Sequence, residues 1–176
     1  MKFQRQYTYY EVQGMIKIFQ GNRAFLNVDN NNIVHRPNAS AHANLHAGAS
    51  YLDQRNRVNT PREPRATGTY MNERDQIAAT TYILNSHEVQ IQLRQLDLGE
   101  QRLGVTAALP VNQYLIAVAE DNSNRGAGNA GHVGRNSQNR WGAGSTHRQV
   151  FATQGFVLLI RGVGGLIQIQ TSYPIA

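Results

Sequence analysis

The chain has 176 residues and no cysteine, and its 17 Lys plus Arg against 11 Asp plus Glu give a formal charge of +6. Absence of cysteine excludes disulfides, thiolate zinc sites and thiol nucleophiles together. Apolar runs such as Phe156 to Ile160 are too short to span a membrane, and the polar opening from Met1 to Tyr7 gives no sign of a secretory signal.

The length suits one domain over residues 1–176. Residues 7–19 and 24–28 alternate and are rich in aromatic and β-branched side chains. They predict a hairpin turning at Gln20 to Asn22, so that residues 1–40 form an N-terminal hairpin or extension. Ala39 to Leu45 predicts a short helix ended by Gly48. Ser50, with Asp53 three residues on, predicts the cap of a second helix that stops before Pro61. Asn72 ahead of Glu73 and Asp75 predicts a stronger helix start. Ile77, Leu84, Ile91 and Leu98 recur every seven residues as one apolar stripe, with a break expected near Asn85–Ser86 and closure at Gly99. Strands are predicted over Val111–Ala119, Gln149–Ile160 and Leu166–Tyr173, the last two joined by a Gly-rich hairpin at residues 161–165. Residues 120–147, poor in apolar side chains and rich in Gly, Asn, Ser and Arg, read as a mobile insert. Helices early and strands late define an α+β fold with an antiparallel sheet.

The basic residues are 15 Arg and only 2 Lys. Arg offers a planar fork that meets phosphate oxygens two at a time, so nucleic acid is the first partner expected. Two segments, residues 54–74 and 121–150, each carry a net +3. Metal chemistry is poorly supported. His42 and His46 stand four apart, but no third ligand follows at a suitable spacing. Gly126 to Gly128 and Gly162 to Gly165 are not followed by the Lys-Ser/Thr of a phosphate loop, and no Gly-x-Ser-x-Gly turn occurs.

The better constellation is His46, Arg57, Thr171 and Tyr173. Strict alternation along the last strand puts Ile167, Ile169, Thr171 and Tyr173 on one face, with Gln168, Gln170 and Ser172 opposite. Arg57 lies 11 residues beyond His46. In one continuous helix they would stand about 16 Å apart, but a break at Gly48 to Ser50 lets the second helix fold back. Taken singly, Thr171 and Tyr173 are ordinary strand residues and His46 an ordinary packed histidine, so the reading needs all four to converge. His42, His132 and His147 are the other candidate proton donors, and Tyr70 and Trp141 can stack on bases.

The stretch from Leu45 through His46, Ser50 and Arg57 to Val58, then Ala66 to Tyr70, then an Ala-containing helix, then Gln170 to Pro174, resembles the bacterial ribonuclease A-like toxin family. That family supplies C-terminal effector domains of contact-dependent growth inhibition and related polymorphic toxins. The likeness covers roughly residues 41–119 and 148–174, with Gly68 standing where the family tends to have Ser. It implies a kidney-shaped, pancreatic-ribonuclease-like domain over residues 41–176, without disulfides, and a metal- and cofactor-independent endoribonuclease. The 2′-hydroxyl of the RNA would be the nucleophile, leaving a 2′,3′-cyclic phosphate. His46 would take its proton, an imidazole with an ordinary pKa of about 6.5 suiting that task. Arg57 would neutralise the phosphorane, Thr171 would bond a non-bridging oxygen, and Tyr173 would bond the phosphate or protonate the leaving 5′-oxygen. His42, Arg55, Thr69, Tyr70, Arg135 and Trp141 would contact the RNA. The resemblance further implies a monomer delivered by a producing bacterium into the cytoplasm of a competing or host cell. It would have no membrane partner and would be held in check by a cognate immunity protein with an acidic contacting face. Two other classes stay open on the residues alone. One is a non-catalytic RNA- or partner-binding module. The other is an ADP-ribosyltransferase, against which stands the absence of any Glu-x-Glu pair.

Overall fold

The structure is a computed structural model that describes residues 2–21, 26–28, 34–37, 46–49, 54, 66–120, 146–162 and 165–176. Residues 9–19, expected as a strand, are helical: α1 spans Tyr9–Gly21. Two local signals override the apparent alternation. Thr8 and Glu11 form a reciprocal cap, Glu11 N–H donating to Thr8 Oγ1 and Thr8 N–H to Glu11 Oε2. Val12, Met15 and Ile16 then share one buried face at helical spacing, each stabilising the fold by about 1.5–3 kcal/mol. The short strands β1 (Leu26–Val28) and β2 (Val34–Pro37) pair with each other, antiparallel. The predicted helix over residues 39–45, the loop at residues 60–64 and the insert at residues 121–145 lie outside the described residues. Of the predicted second helix only Gln54 is described, and it is helical.

Strand β3 (Ala66–Tyr70) leads into α2 (Glu73–Asn85), whose start is capped as expected by Asn72 Oδ1 accepting from Asp75 N–H at 2.8 Å. Ser86 is extended and separates α2 from α3 (His87–Asp97). That break ends the seven-residue stripe. Ile77 and Leu84 are buried, whereas Ile91 and Leu98 are 55% and 77% exposed. α3 instead buries Val89, Leu93 and Leu96, because an extended residue between two helices resets their relative phase. Gly99, at a φ of 110°, closes the element as expected.

Five further strands complete the described fold: β4 (Arg102–Ala108), β5 (Leu115–Glu120), β6 (Thr146–Phe151), β7 (Gln154–Arg161) and β8 (Ile167–Ile175), with a turn at residues 111–113 before β5. Strand β4 was not foreseen, although Leu103, Val105 and Ala107 alternate inward along it. Val111, the expected start of β5, is exposed in the turn. The single strand expected over residues 149–160 is two strands in different sheets. Ala152 N–H donates to Tyr114 O, while the next N–H, of Thr153, donates to Ile175 O. The chain therefore changes sheet between consecutive residues. The two larger sheets among the described residues are β3-β5-β6 and β4-β7-β8, both antiparallel, and α1, α2 and α3 pack on β4-β7-β8 or its edge through one core. The architecture is α+β and cysteine-free. Among the described residues, no helix is long and apolar enough to cross a membrane.

Candidate functional site

The site begins with an irregularity in β8. Leu158 pairs with Thr171 but Leu159 pairs with Ile169, so Gln170 is an extra residue, a β-bulge. The bulge breaks the strict alternation that the sequence suggests. Ile167 and Ile169 pair with Arg161 and Leu159, and beyond the bulge Ser172 and Pro174 continue that helix-facing row opposite Val157 and Gly155. Thr171 and Tyr173 are therefore on the opposite face from Ile167 and Ile169, beside Leu158 and Phe156. This corrects the expected grouping and frees two hydroxyls from the core face.

On that outer face Tyr173 stacks on Phe156, ring centroids 4.9 Å apart. Phe156 in turn lies over Gly104, where an added Cβ would stand 3.0 Å from its ring. The His46 ring approaches Tyr173 with centroids 5.2 Å apart and planes tilted by 43°. His46 is held by edge strand β3: its Nδ1 lies 2.7 Å from Gly68 O. A carbonyl only accepts, so Nδ1 is the donor and Nε2 carries the lone pair of the neutral ring. The segment around it is pinned by Gly48 N–H donating to Tyr70 O at 2.7 Å, with Gly48 at a φ of 74°. The expected break at Gly48 is thus present. Gly68 permits the approach of the two sheets, since a Cβ there would stand 3.0 Å from Pro174 O.

Thr171 is 3% exposed, and among the described residues its hydroxyl has no hydrogen-bond partner. Beneath it, α2 grips the intervening residue Ser172 twice. Gln76 Nε2 donates to Ser172 O at 2.9 Å, and the Thr80 and Ser172 hydroxyls lie 2.7 Å apart. Because Thr80 Oγ1 donates to Gln76 O, Ser172 is the donor in that pair.

Two residues expected at the RNA surface belong to the fold instead. Tyr70 is wholly buried, edge-on to Tyr114, and burial pushes its phenol pKa up, the Tyr114 phenol adding to the effect and the neighbouring Ser172 opposing it. It cannot stack on a base. Thr69 is 1% exposed, and its hydroxyl accepts from Ala49 N–H and donates to Tyr70 O. Arg57, His42, Arg55, Arg135, Trp141 and His132 lie outside the described residues. His147, a candidate proton donor, is exposed on β6 in register with Ala119 and Thr67. Gln54 orients it: Gln54 Nε2 donates to Thr67 O and Ala117 O, which fixes the amide, and Oε1 then accepts from His147 Nε2 at 2.8 Å.

Sequence reading missed Phe156, Gln54 and Arg102. Arg102 Nη2 donates to Gln170 Oε1 at 3.3 Å. No group of three or more His, Asp or Glu side chains that could hold a metal occurs among the described residues.

No protein-family model matches the chain, and no curated protein matches it. Among solved structures the chain is similar to one described as the CdiA-CT/CdiI complex from Y. kristensenii 33638. The likeness has a TM-score of 0.48 and 14% identity, and it covers 76% of this chain and 97% of that one. A likeness of that size carries no function to this chain.

Proposed function

We propose that the chain is a ribonuclease toxin that cleaves RNA without a metal, by attack of the ribose 2′-hydroxyl on the adjacent phosphorus. The observation that carries the reading is the His46 imidazole with its Nδ1 proton committed to Gly68 O, next to Tyr173. A histidine fixed in that tautomer offers Nε2 as a base. In the proposed step His46 Nε2 takes the 2′-hydroxyl proton as the O2′–P bond forms. The P–O5′ bond breaks, and the departing oxygen takes a proton from the Tyr173 hydroxyl. The products are a 2′,3′-cyclic phosphate and a 5′-hydroxyl. The buried Thr171 hydroxyl, without a partner among the described residues, suits a non-bridging oxygen, and Arg57 is the proposed cation for the phosphorane. The pancreatic-ribonuclease-like shape, the extent of the domain, the delivery into a target-cell cytoplasm and the acidic immunity protein rest on the sequence resemblance, as do RNA contacts from His42, Arg55, Arg135 and Trp141.

The test is incubation of wild type and His46→Ala with total RNA, with and without EDTA. Cleavage by wild type that persists in EDTA and falls at least a hundredfold in folded His46→Ala is the expected result. Undiminished cleavage by His46→Ala overturns the assignment.

A further inference from the structure

The bulge at Gln170 does more than turn Thr171 outward. Two consecutive β8 side chains, of Gln170 and Thr171, lie toward one face, and the Gln170 carboxamide reaches across β7 to Arg102 on β4. Arg102 pairs with Ile160, which pairs with Gln168, so the guanidinium spans the sheet from its far edge toward the strand that carries the site. The anchor is neutral. Arg102 makes no ion pair with a carboxylate among the described residues, and the residue that follows its anchor along β8 is Thr171. Thr171 is 3% exposed, and among the described residues its buried hydroxyl has no hydrogen-bond partner. A cation anchored by a neutral amide keeps its remaining N–H groups for an anion, and Arg presents them as a fork, its anchor standing one residue before the hydroxyl proposed for the cleaved phosphate.

We infer that Arg102, oriented by Gln170, binds a backbone phosphate of the RNA adjoining the one cleaved, an inference that rests on the proposed ribonuclease reading. The outer face of β4-β7-β8 is then the track of the RNA strand. It runs from the His46–Tyr173–Phe156 stack at one end to the Arg102–Gln170 pair at the other. The predicted ligand is a phosphodiester of a single strand, with no base preference from Arg102 itself.

The test is binding of a 2′-deoxy oligonucleotide, which presents the phosphates but cannot be cleaved through a 2′-hydroxyl. Affinity is measured across a salt series for wild type, Arg102→Gln and Gln170→Leu, with thermal melts to establish folding. Removing one phosphate contact is expected to lower the slope of log K against log salt by about 0.7, with a loss in affinity of about three- to tenfold. Gln170→Leu keeps the charge and loses its aim, so it is expected to weaken binding by less than Arg102→Gln with the slope nearly kept. An unaltered slope and affinity in folded Arg102→Gln overturns the phosphate site, and unaltered affinity in Gln170→Leu overturns the positioning role. Binding does not need catalysis. A chain that binds through Arg102 but leaves RNA intact keeps the phosphate site and loses the ribonuclease reading.

Discussion

Thr171 carries a hydroxyl that the fold buries without a partner, an arrangement that costs about 1–3 kcal/mol in an ordinary core. Replacing it with the isosteric valine removes that cost and the proposed phosphate contact together. Thr171→Val is therefore expected to melt at or above the wild-type temperature while losing about tenfold or more in RNA cleavage. Parallel loss of stability and activity would assign the hydroxyl to the fold. Tyr173→Phe keeps the ring against Phe156 and His46 and is expected to lose about a hundredfold in kcat with little change in melting temperature. At this scale the sequence was partly legible. Of the constellation read in the sequence, His46 and Tyr173 do meet. Alternation groups Thr171 correctly with Tyr173 but wrongly with Ile167 and Ile169, because an extra residue in a strand leaves no trace in its composition. Tyr70 and Thr69 are buried, which residue type alone does not report. Arg102 was passed over because its partner, Gln170, lies 68 positions away.

Helix α2 sets the site by holding β8 from below. Gln76 and Thr80, one turn apart, both bond Ser172, the residue between Thr171 and Tyr173. Thr80→Val strands the Ser172 hydroxyl in the core and is expected to cost about 1–3 kcal/mol. If Ser172 sets the aim of its neighbours, kcat falls with KM nearly unchanged at temperatures where the variant is fully folded. An unchanged kcat there would limit Thr80 to stability. Helices with a clear cap were legible from sequence, as at Asn72 and Gly99. α1 was not, because the aromatic run from Tyr7 to Tyr10 suggested a strand and hid the Thr8–Glu11 cap. The split between β6 and β7 falls at Ala152–Thr153, where no Gly or Pro marks it. Only the hydrogen bonds to two different sheets reveal the change of direction.

Across the molecule, side chains of α2 and α3 strap the N-terminal segment to the helices, Gln90 Nε2 donating to Arg5 O among them. Asn85 bonds both the N–H and the carbonyl of Tyr7. The Asp97 carboxylate accepts from the N–H groups of Lys2, Phe3 and Gln4. Desolvation pushes the Asp97 pKa up, but those three donors outweigh it and hold the carboxyl below its usual range. A carboxyl depressed in the folded state stabilises fully above its unfolded pKa of about 4 and loses that contribution as pH falls through the folded value. Asp97→Asn is expected to lower stability at neutral pH by on the order of 1 kcal/mol, allowing for solvent screening. Melting curves of the two proteins should converge as the pH falls below about 4, and a constant difference down to pH 2 would contradict the linkage. The α+β class was legible from the order of helical and strand patterns, since long periodic segments report their type well. The division into two sheets was not, because pairing partners are set by contacts between residues far apart in the chain. The central claim concerns which oxygen attacks phosphorus, and the ends of the products report it directly. Wild-type protein acting on a defined oligoribonucleotide is predicted to leave a 2′,3′-cyclic phosphate on one fragment and a 5′-hydroxyl on the other. Fragments ending in a 5′-phosphate and a 3′-hydroxyl would contradict the account.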